Sequence, residues 1–362
     1  MGHARKHQIT IFPTNKCNMR CTYCAADSAN HQTTTEKIDL EFARIGISDY
    51  FQDTSKHQIR YYSSGEPTQA MDVIKETWEY AHSIVGERLI SELQTNCIFD
   101  KESADWIASH INIVWASIDG WPEVQNRYRP INTNQPSHYQ AMQNALYIKE
   151  KTFVGIRTTI VEETVEQQIE LLEYFNKLGF KEVASEPVFL PVKNGEKNDS
   201  PITCINLRSY IKNFVKAWYK AKELGMNYIN SFMVNFDEKV EYACRSCLPT
   251  PHLTTDGYVS ACDLGFYGNT PLQDLIYGKY DKENKIIQYF PEKMEKLRSR
   301  KCINIDSCKS CFVKENCGGG CLGRAYHETR DFYGVIPDYC WATRYLAANL
   351  PLDEIKIDKL HP

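Results

Sequence analysis

Three cysteines crowd into the stretch "TNKCNMRCTYCAAD", at Cys17, Cys21 and Cys24, directly behind the apolar run Ile9 to Phe12. Eight more, from Cys244 to Cys340, fall into a second patterned region, and of the fourteen in the chain only Cys97, Cys204 and Cys302 stand outside both. So many thiols in two blocks restrict the fold to one that brings distant loops together around something thiols bind. Disulfides would be the first thought in a small secreted domain, but the start "MGHARKHQITIF" lacks the apolar core of a signal peptide. In a chain of 362 residues the pattern points instead to metal or redox chemistry in a cytoplasmic protein. Cys97 and Cys204 read as inert, buried hydrophobes.

Around these blocks the chain reads as α/β. Strand-like runs near residues 7–12, 59–63, 89–94, 111–117, 153–160 and 182–189 alternate with helical patterns such as 39–53, 71–84 and 165–178, the last closed by Gly179. Six βα units predict a parallel sheet with right-handed crossovers, either open or curled into an incomplete barrel. A last helix over 207–224 leads to a boundary near Asn230. This divides the chain into a domain over 1–230, a cysteine-rich domain over 231–350 and a charged tail over 351–362. The run "EKMEKLRSRK" from Glu292 reads as a solvated helix face. A formal charge of -4 lacks the basic excess of a nucleic-acid binder, and no run is long and apolar enough to span a membrane.

A cubane iron-sulfur cluster takes four thiolates, so a loop offering three leaves one iron open, as a catalytic zinc keeps one position for substrate. The strand before Cys17 would hold that loop at the C-terminal edge of the sheet, where parallel folds place their chemistry. A zinc site borrowing His31 is the other reading of the same three thiols.

CX3CX2C with an aromatic before the third cysteine resembles the signature of the radical S-adenosylmethionine (SAM) superfamily, Tyr23 standing where that family packs an aromatic near the adenine. The resemblance implies a partial (β/α)6 barrel and a [4Fe-4S] cluster whose open iron binds SAM. It also implies reductive cleavage to a 5'-deoxyadenosyl radical. "YYSSGEPT" after the second strand is similar to the family's GGEP segment, so Ser64, Gly65 and Glu66 inherit contacts to the SAM amino group, with Ser64 in place of the first glycine. "ASIDG" after the fourth strand assigns Ser117 to the ribose and leaves Asp119 as a ribose contact or a turn residue. Thr95 with Asn96 resembles the family's TN pair. Arg157 on the fifth strand is either a partner of the SAM carboxylate or a structural ion pair.

Beyond Asn230, Cys247, Gly257, Cys262, Cys308, Cys311, Cys317, Cys321 and Cys340 reproduce the seven-cysteine pattern of the SPASM domain, with Cys244 upstream as an eighth thiol. That resemblance implies two auxiliary clusters with interleaved ligands: Cys244, Cys247, Cys262 and Cys321 for one, Cys308, Cys311, Cys317 and Cys340 for the other. The alternatives for the first are an open iron or Cys302, and zinc knuckles remain the other reading of the CX2C pairs. Gly318 to Gly320 would let the backbone pass closely between ligands of different clusters. Asp263, next to Cys262, matches the proposed base of anaerobic sulfatase maturases, with a raised pKa expected beside an anionic cluster; capping the loop "LGFYGN" is its other reading. Trp115, Trp121 and Tyr128 either line a peptide channel or pack in the core.

Taken together, the resemblance implies three [4Fe-4S] clusters, SAM, and a maturase that oxidises or cross-links side chains of a peptide or protein substrate. A flavodoxin- or ferredoxin-like reductant would serve it. With the first strand starting near residue 7, no fused leader-binding domain is expected, and a separate leader-peptide-binding protein or the barrel surface would recognise the precursor. The alternatives are a small-molecule SPASM dehydrogenase acting on a sugar or aminocyclitol alcohol, and a zinc-stabilised binding protein without catalysis.

Overall fold

In the computed structural model, residues 8–26, 35–132, 135–189 and 205–357 are described. His31 and Cys204 lie outside them.

The first two-thirds alternates strands and helices: β1 (Gln8–Ile11), α1 (Leu40–Phe51), β2 (Gln58–Tyr61), α2 (Met71–Val85), β3 (Ile90–Thr95), α3 (Lys101–His110), β4 (Ile113–Ser117), α4 (Pro122–Tyr128), α5 (His138–Lys149), β5 (Phe153–Ile160), α6 (Gln168–Lys177), β6 (Glu182–Pro187) and α7 (Leu207–Glu223). Side-chain alternation along the strands separates two environments. Ile9, Ile11, Ile59, Tyr61, Leu93 and Val114 join the core beneath the helices, whereas Gln8, Arg60, Glu92 and Trp115 point to a cavity on the other face. Asp39, Asp100 and Asn206 cap α1, α3 and α7 by accepting from backbone N–H groups of the first turn. Gly179 stops α6 at φ +77°, as its position predicts.

Strands β1 to β6 run parallel in chain order, as six βα units require, and a seventh short parallel strand, β7 (Asn227–Ile229), extends the edge beside β6. The sheet does not end near residue 230. Strand β8 (His252–Leu253) lies parallel to β1 on its other side, pairing Thr10 with His252 and Ile11 with Leu253. An antiparallel continuation follows through β9 (Tyr258–Ser260), β10 (Ile276–Asp281) and β11 (Ile286–Tyr289), giving one eleven-stranded sheet. Helices α8 (Pro291–Ser299), α9 (Lys314–Cys317), α10 (Leu322–Thr329) and α11 (Pro337–Asn349) complete the cysteine-rich region, α11 packing on α7. Among the described residues no helix is long and apolar enough to cross a membrane.

Candidate active site and thiol quartets

The loop after β1 is tied down along its length. Arg20 N donates to the Pro130 carbonyl and Thr22 N to that of Tyr128, while Asn132 N donates back to the Asn18 carbonyl. Lys16 and Asn15 meet Gly65 so closely that a Cβ on Gly65 would lie 2.1 Å from the Lys16 carbonyl oxygen. The glycine of "SSGEP" is thus required by the thiol loop itself, a reason different from close approach to a ligand. Next to it, Glu66 N donates to Lys16 O at 2.8 Å.

Glu66 is buried, and its carboxylate accepts from Thr68 N, Thr68 Oγ1, Thr95 Oγ1 and Asn96 N at 2.6 to 3.1 Å. Burial pushes its pKa up and these donors pull it back. Asn96 in turn donates to Asn18 Oδ1 at 2.8 Å, so the TN pair and Glu66 brace the thiol loop together.

Tyr23 is buried, donating its hydroxyl to Asp119 Oδ2 and accepting from Arg129 Nη1 at 2.9 Å. Asp119 Oδ1 accepts from Thr159 N at 2.9 Å, which makes Asp119 a buried anchor for Tyr23 and β5. Sequence reasoning did not single out Arg129, because one arginine in "NRYRP" carries no spacing signal.

Cys17, Cys21, Tyr23, Cys24, Ser64, Gly65, Glu66, Thr95, Ser117 and Arg157 all line one cavity of about 280 Å³. Its roof comes from the cysteine-rich region: Leu264 and Phe266 reach in, and Tyr267, in the same loop, meets the Ser64 hydroxyl at 2.8 Å. The donor set fits an iron-sulfur cluster. Three thiols open onto the cavity and Met19 N points at Cys17 Sγ from 3.4 Å. Burial raises the Cys21 thiol to about 12, with Arg129 opposing, so a bound cation would supply the deprotonation. Among the described residues no three His, Cys, Asp or Glu side chains converge on a single ion position, the arrangement that one zinc needs.

The later thiols sort into two groups of four. Cys247 and Cys262 each feel the thiols of Cys244 and Cys321, whereas Cys308 feels those of Cys311, Cys317 and Cys340. Cys302 is buried, its thiol 4.0 Å from the Val240 carbonyl oxygen and influenced by Lys314 and Glu241. Between the sets, Gly318 to Gly320 all take positive φ, and a Cβ on Gly318 would fall 2.3 Å from the Tyr242 backbone. Cys244, Cys308, Cys311, Cys317, Cys321 and Cys340 line a second cavity of about 290 Å³.

A third cavity, about 200 Å³, lies on the barrel side of the sheet and reaches Cys244 and Asp263. Arg157 lines all three, and among the described residues no carboxylate lies within ion-pair distance of it. Asp263 overturns the expected raised pKa. Burial alone would push its carboxyl up, but Arg60 Nη1 at 2.7 Å and Arg245 Nη2 at 3.1 Å hold it well below the usual range. His252 Nε2 lies 3.0 Å from the same Oδ1. With every one of these contacts on Oδ1, the side chain keeps 37% of its exposure toward the cavity. Trp115 lines that cavity too, while Trp121 packs on Tyr174 and Tyr128 against Tyr23.

A profile of the Radical SAM superfamily matches residues 11–199. An uncharacterized protein of Methanocaldococcus jannaschii is 25% identical over 187 residues, 51% of this chain; the match spans 63% of that protein's length. Among solved structures, anSMEcpe with bound AdoMet superposes with a TM-score of 0.76 at 18% identity, covering 94% of this chain and 92% of its own. SuiB of Streptococcus suis bound to S-adenosylmethionine gives 0.66 at 16% identity, covering 92% and 77%. At such identities the likeness is one of fold.

Proposed function

The chain belongs to the radical SAM superfamily, and on that premise we propose that it is a peptide- or protein-modifying maturase holding three [4Fe-4S] clusters. The observation that carries this reading is the single cavity onto which all ten residues assigned to the first cluster and to SAM converge. Further support comes from the two thiol quartets behind it, and from similarity of fold to anSMEcpe solved with a bound peptide and to SuiB solved with its precursor peptide SuiA.

When bound, the first cluster and SAM supply a 5'-deoxyadenosyl radical that removes a substrate hydrogen atom. Cys17, Cys21 and Cys24 would hold that cluster, and Arg129 places a positive charge behind it. Tyr23 and Ser117 border the nucleoside part of the cavity, Ser64, Gly65, Glu66 and Thr95 the amino-acid part, and Arg157 offers its guanidinium to a carboxylate. Leu264 and Phe266 close the cavity against water, which a carbon radical requires. Asp263 lines the neighbouring space as an anionic acceptor for a substrate hydrogen bond. Its ion pairs make it a weak base.

The quartets of Cys244, Cys247, Cys262, Cys321 and of Cys308, Cys311, Cys317, Cys340 would hold auxiliary clusters that accept the electron lost by the substrate radical, while a flavodoxin- or ferredoxin-like reductant of the cytoplasm would supply the electron for SAM cleavage. Cluster potentials span roughly -700 to +450 mV, a range wide enough for that transfer. We keep the working division near residue 230, although the sheet crosses it.

Anaerobic reconstitution tests the reading: about 12 irons per chain are expected from three cubanes. Incubation with SAM, reductant and the product of a short gene encoded nearby should release 5'-deoxyadenosine matched to loss of a hydrogen pair from the peptide by mass spectrometry. An unchanged peptide with turnover of a sugar or aminocyclitol alcohol would favour a small-molecule dehydrogenase. Stoichiometric zinc without a chromophore would end the enzymatic reading.

A further inference from the structure

Arg300 follows α8 at the end of the charged run that reads as a solvated helix face, yet it is fully buried at 0% exposure. Its donors reach four backbone carbonyls, Nε that of Phe332 at 2.8 Å, Nη1 that of Gly320 at 3.2 Å, and Nη2 those of Gly319 and Gly334 at 3.1 Å each, and the guanidinium also donates toward the Cys247 sulfur. Among the described residues no carboxylate lies within the 4.0 Å of an ion pair. Carbonyls satisfy the hydrogen bonds of a guanidinium but leave its charge uncompensated, and a buried charge in that state is strongly disfavoured.

The anions available to it are thiolates. Arg300 acts on Cys247 and Cys321 of one quartet and on Cys308 and Cys340 of the other. The two carbonyls it holds, of Gly319 and Gly320, belong to the turn between Cys317 and Cys321, the point where the chain passes from one quartet to the other.

We propose that Arg300 is the counter-charge shared by both thiol quartets, a positioning residue that fixes the Gly319–Gly320 crossing and raises the reduction potential of the two auxiliary clusters. The proposal rests on the iron-sulfur reading above. Four thiolates leave an assembled cluster anionic, and reduction adds a further negative charge. A fixed cation in low-dielectric surroundings therefore stabilises the reduced form more than the oxidised one. Clusters so biased accept an electron more readily from a substrate radical.

The test compares full-length wild type, Arg300→Lys and Arg300→Gln after anaerobic reconstitution, by iron content and by potentiometric titration followed by electron paramagnetic resonance. In Arg300→Gln the ratio of reduced to oxidised form of both auxiliary clusters should fall at least tenfold at fixed ambient potential, about 59 mV for a one-electron couple. The first cluster should not move, and Arg300→Lys should stay near wild type. Loss of auxiliary iron in Arg300→Gln with retention in Arg300→Lys would equally support a need for charge. Unchanged auxiliary potentials in an iron-replete Arg300→Gln, or equal shifts or equal iron loss in both variants, would overturn the proposal. A wild type carrying only about four irons would instead refute the underlying reading of two auxiliary clusters.

Discussion

Arg129 stands 106 positions from Tyr23 in sequence and 2.9 Å from its hydroxyl in space. Behind that hydroxyl lies Asp119, buried at 1% exposure, with Arg129 Nη1 4.0 Å from its Oδ1 as the nearest cation. Truncation to Arg129→Met leaves the Asp119 carboxylate buried without a counter-charge, which costs about 3–5 kcal/mol. The apparent unfolding temperature of the cluster-loaded protein should drop accordingly, with Arg129→Lys recovering part of the loss; a methionine variant that melts with wild type would deny the pair any stabilising role. The thiols and "SSGEP" are legible in sequence because ligand chemistry fixes both residue type and short spacing. Arg129 and Arg300 are not, since each takes its meaning from partners that only folding brings near. Gly65 lies between these cases: its identity is legible, but the neighbour that demands it, the Lys16 carbonyl, is visible only in the structure.

Strands β1 to β6 are legible for the same kind of reason, each being a segment of 4 to 8 residues that carries buried apolar side chains and lies ahead of a helix that shows its own period. Strand β7 has three residues and β8 two, too few for any period, and both are set by the neighbours they pair with. The β6–β7 pair has a consequence that can be measured. Glu182 faces Asn227 in register, and Asn227 Nδ2 donates to its Oε1 at 2.8 Å while its Oε2 is buried without a partner. Burial raises the Glu182 carboxyl to about 7, against the Asn227 hydrogen bond. The folded state then binds more protons than the unfolded state from about pH 4.5, the ordinary carboxyl value, to about pH 7. Stability contributed by this edge is therefore present at low pH and lost as pH rises through that window. Glu182→Gln, neutral throughout, should flatten the decline in unfolding temperature between pH 5 and pH 8 and melt higher than wild type at the upper end. An unaltered pH profile would show that the carboxyl is solvated.

At the scale of the molecule, the cysteine-rich region completes the barrel edge. Thr10 N donates to the Pro251 carbonyl at 2.8 Å and Phe12 N to that of Leu253 at 3.0 Å, so the strand that launches the first thiol loop is held by the segment between Cys247 and Cys262. On the proposed ligand set, a metal cluster would order that segment only when Cys244 and Cys321 join it, and metal binding that assembles distant ligands contributes directly to folding. Loss of the auxiliary iron should therefore be felt beyond residue 230. In hydrogen exchange, Cys262→Ser should speed the amides of Thr10 and Phe12 along with those of β9 and β10, while β4 and β5, flanked by parallel neighbours on both sides, keep their protection. Such a gradient would also couple the first cluster to the auxiliary ones mechanically, because Lys16 and Cys17 follow Phe12 without an intervening element. Were Thr10 and Phe12 to exchange as in wild type while β9 and β10 open, the two regions would be independent folding units, and the shared sheet would be a junction without energetic consequence.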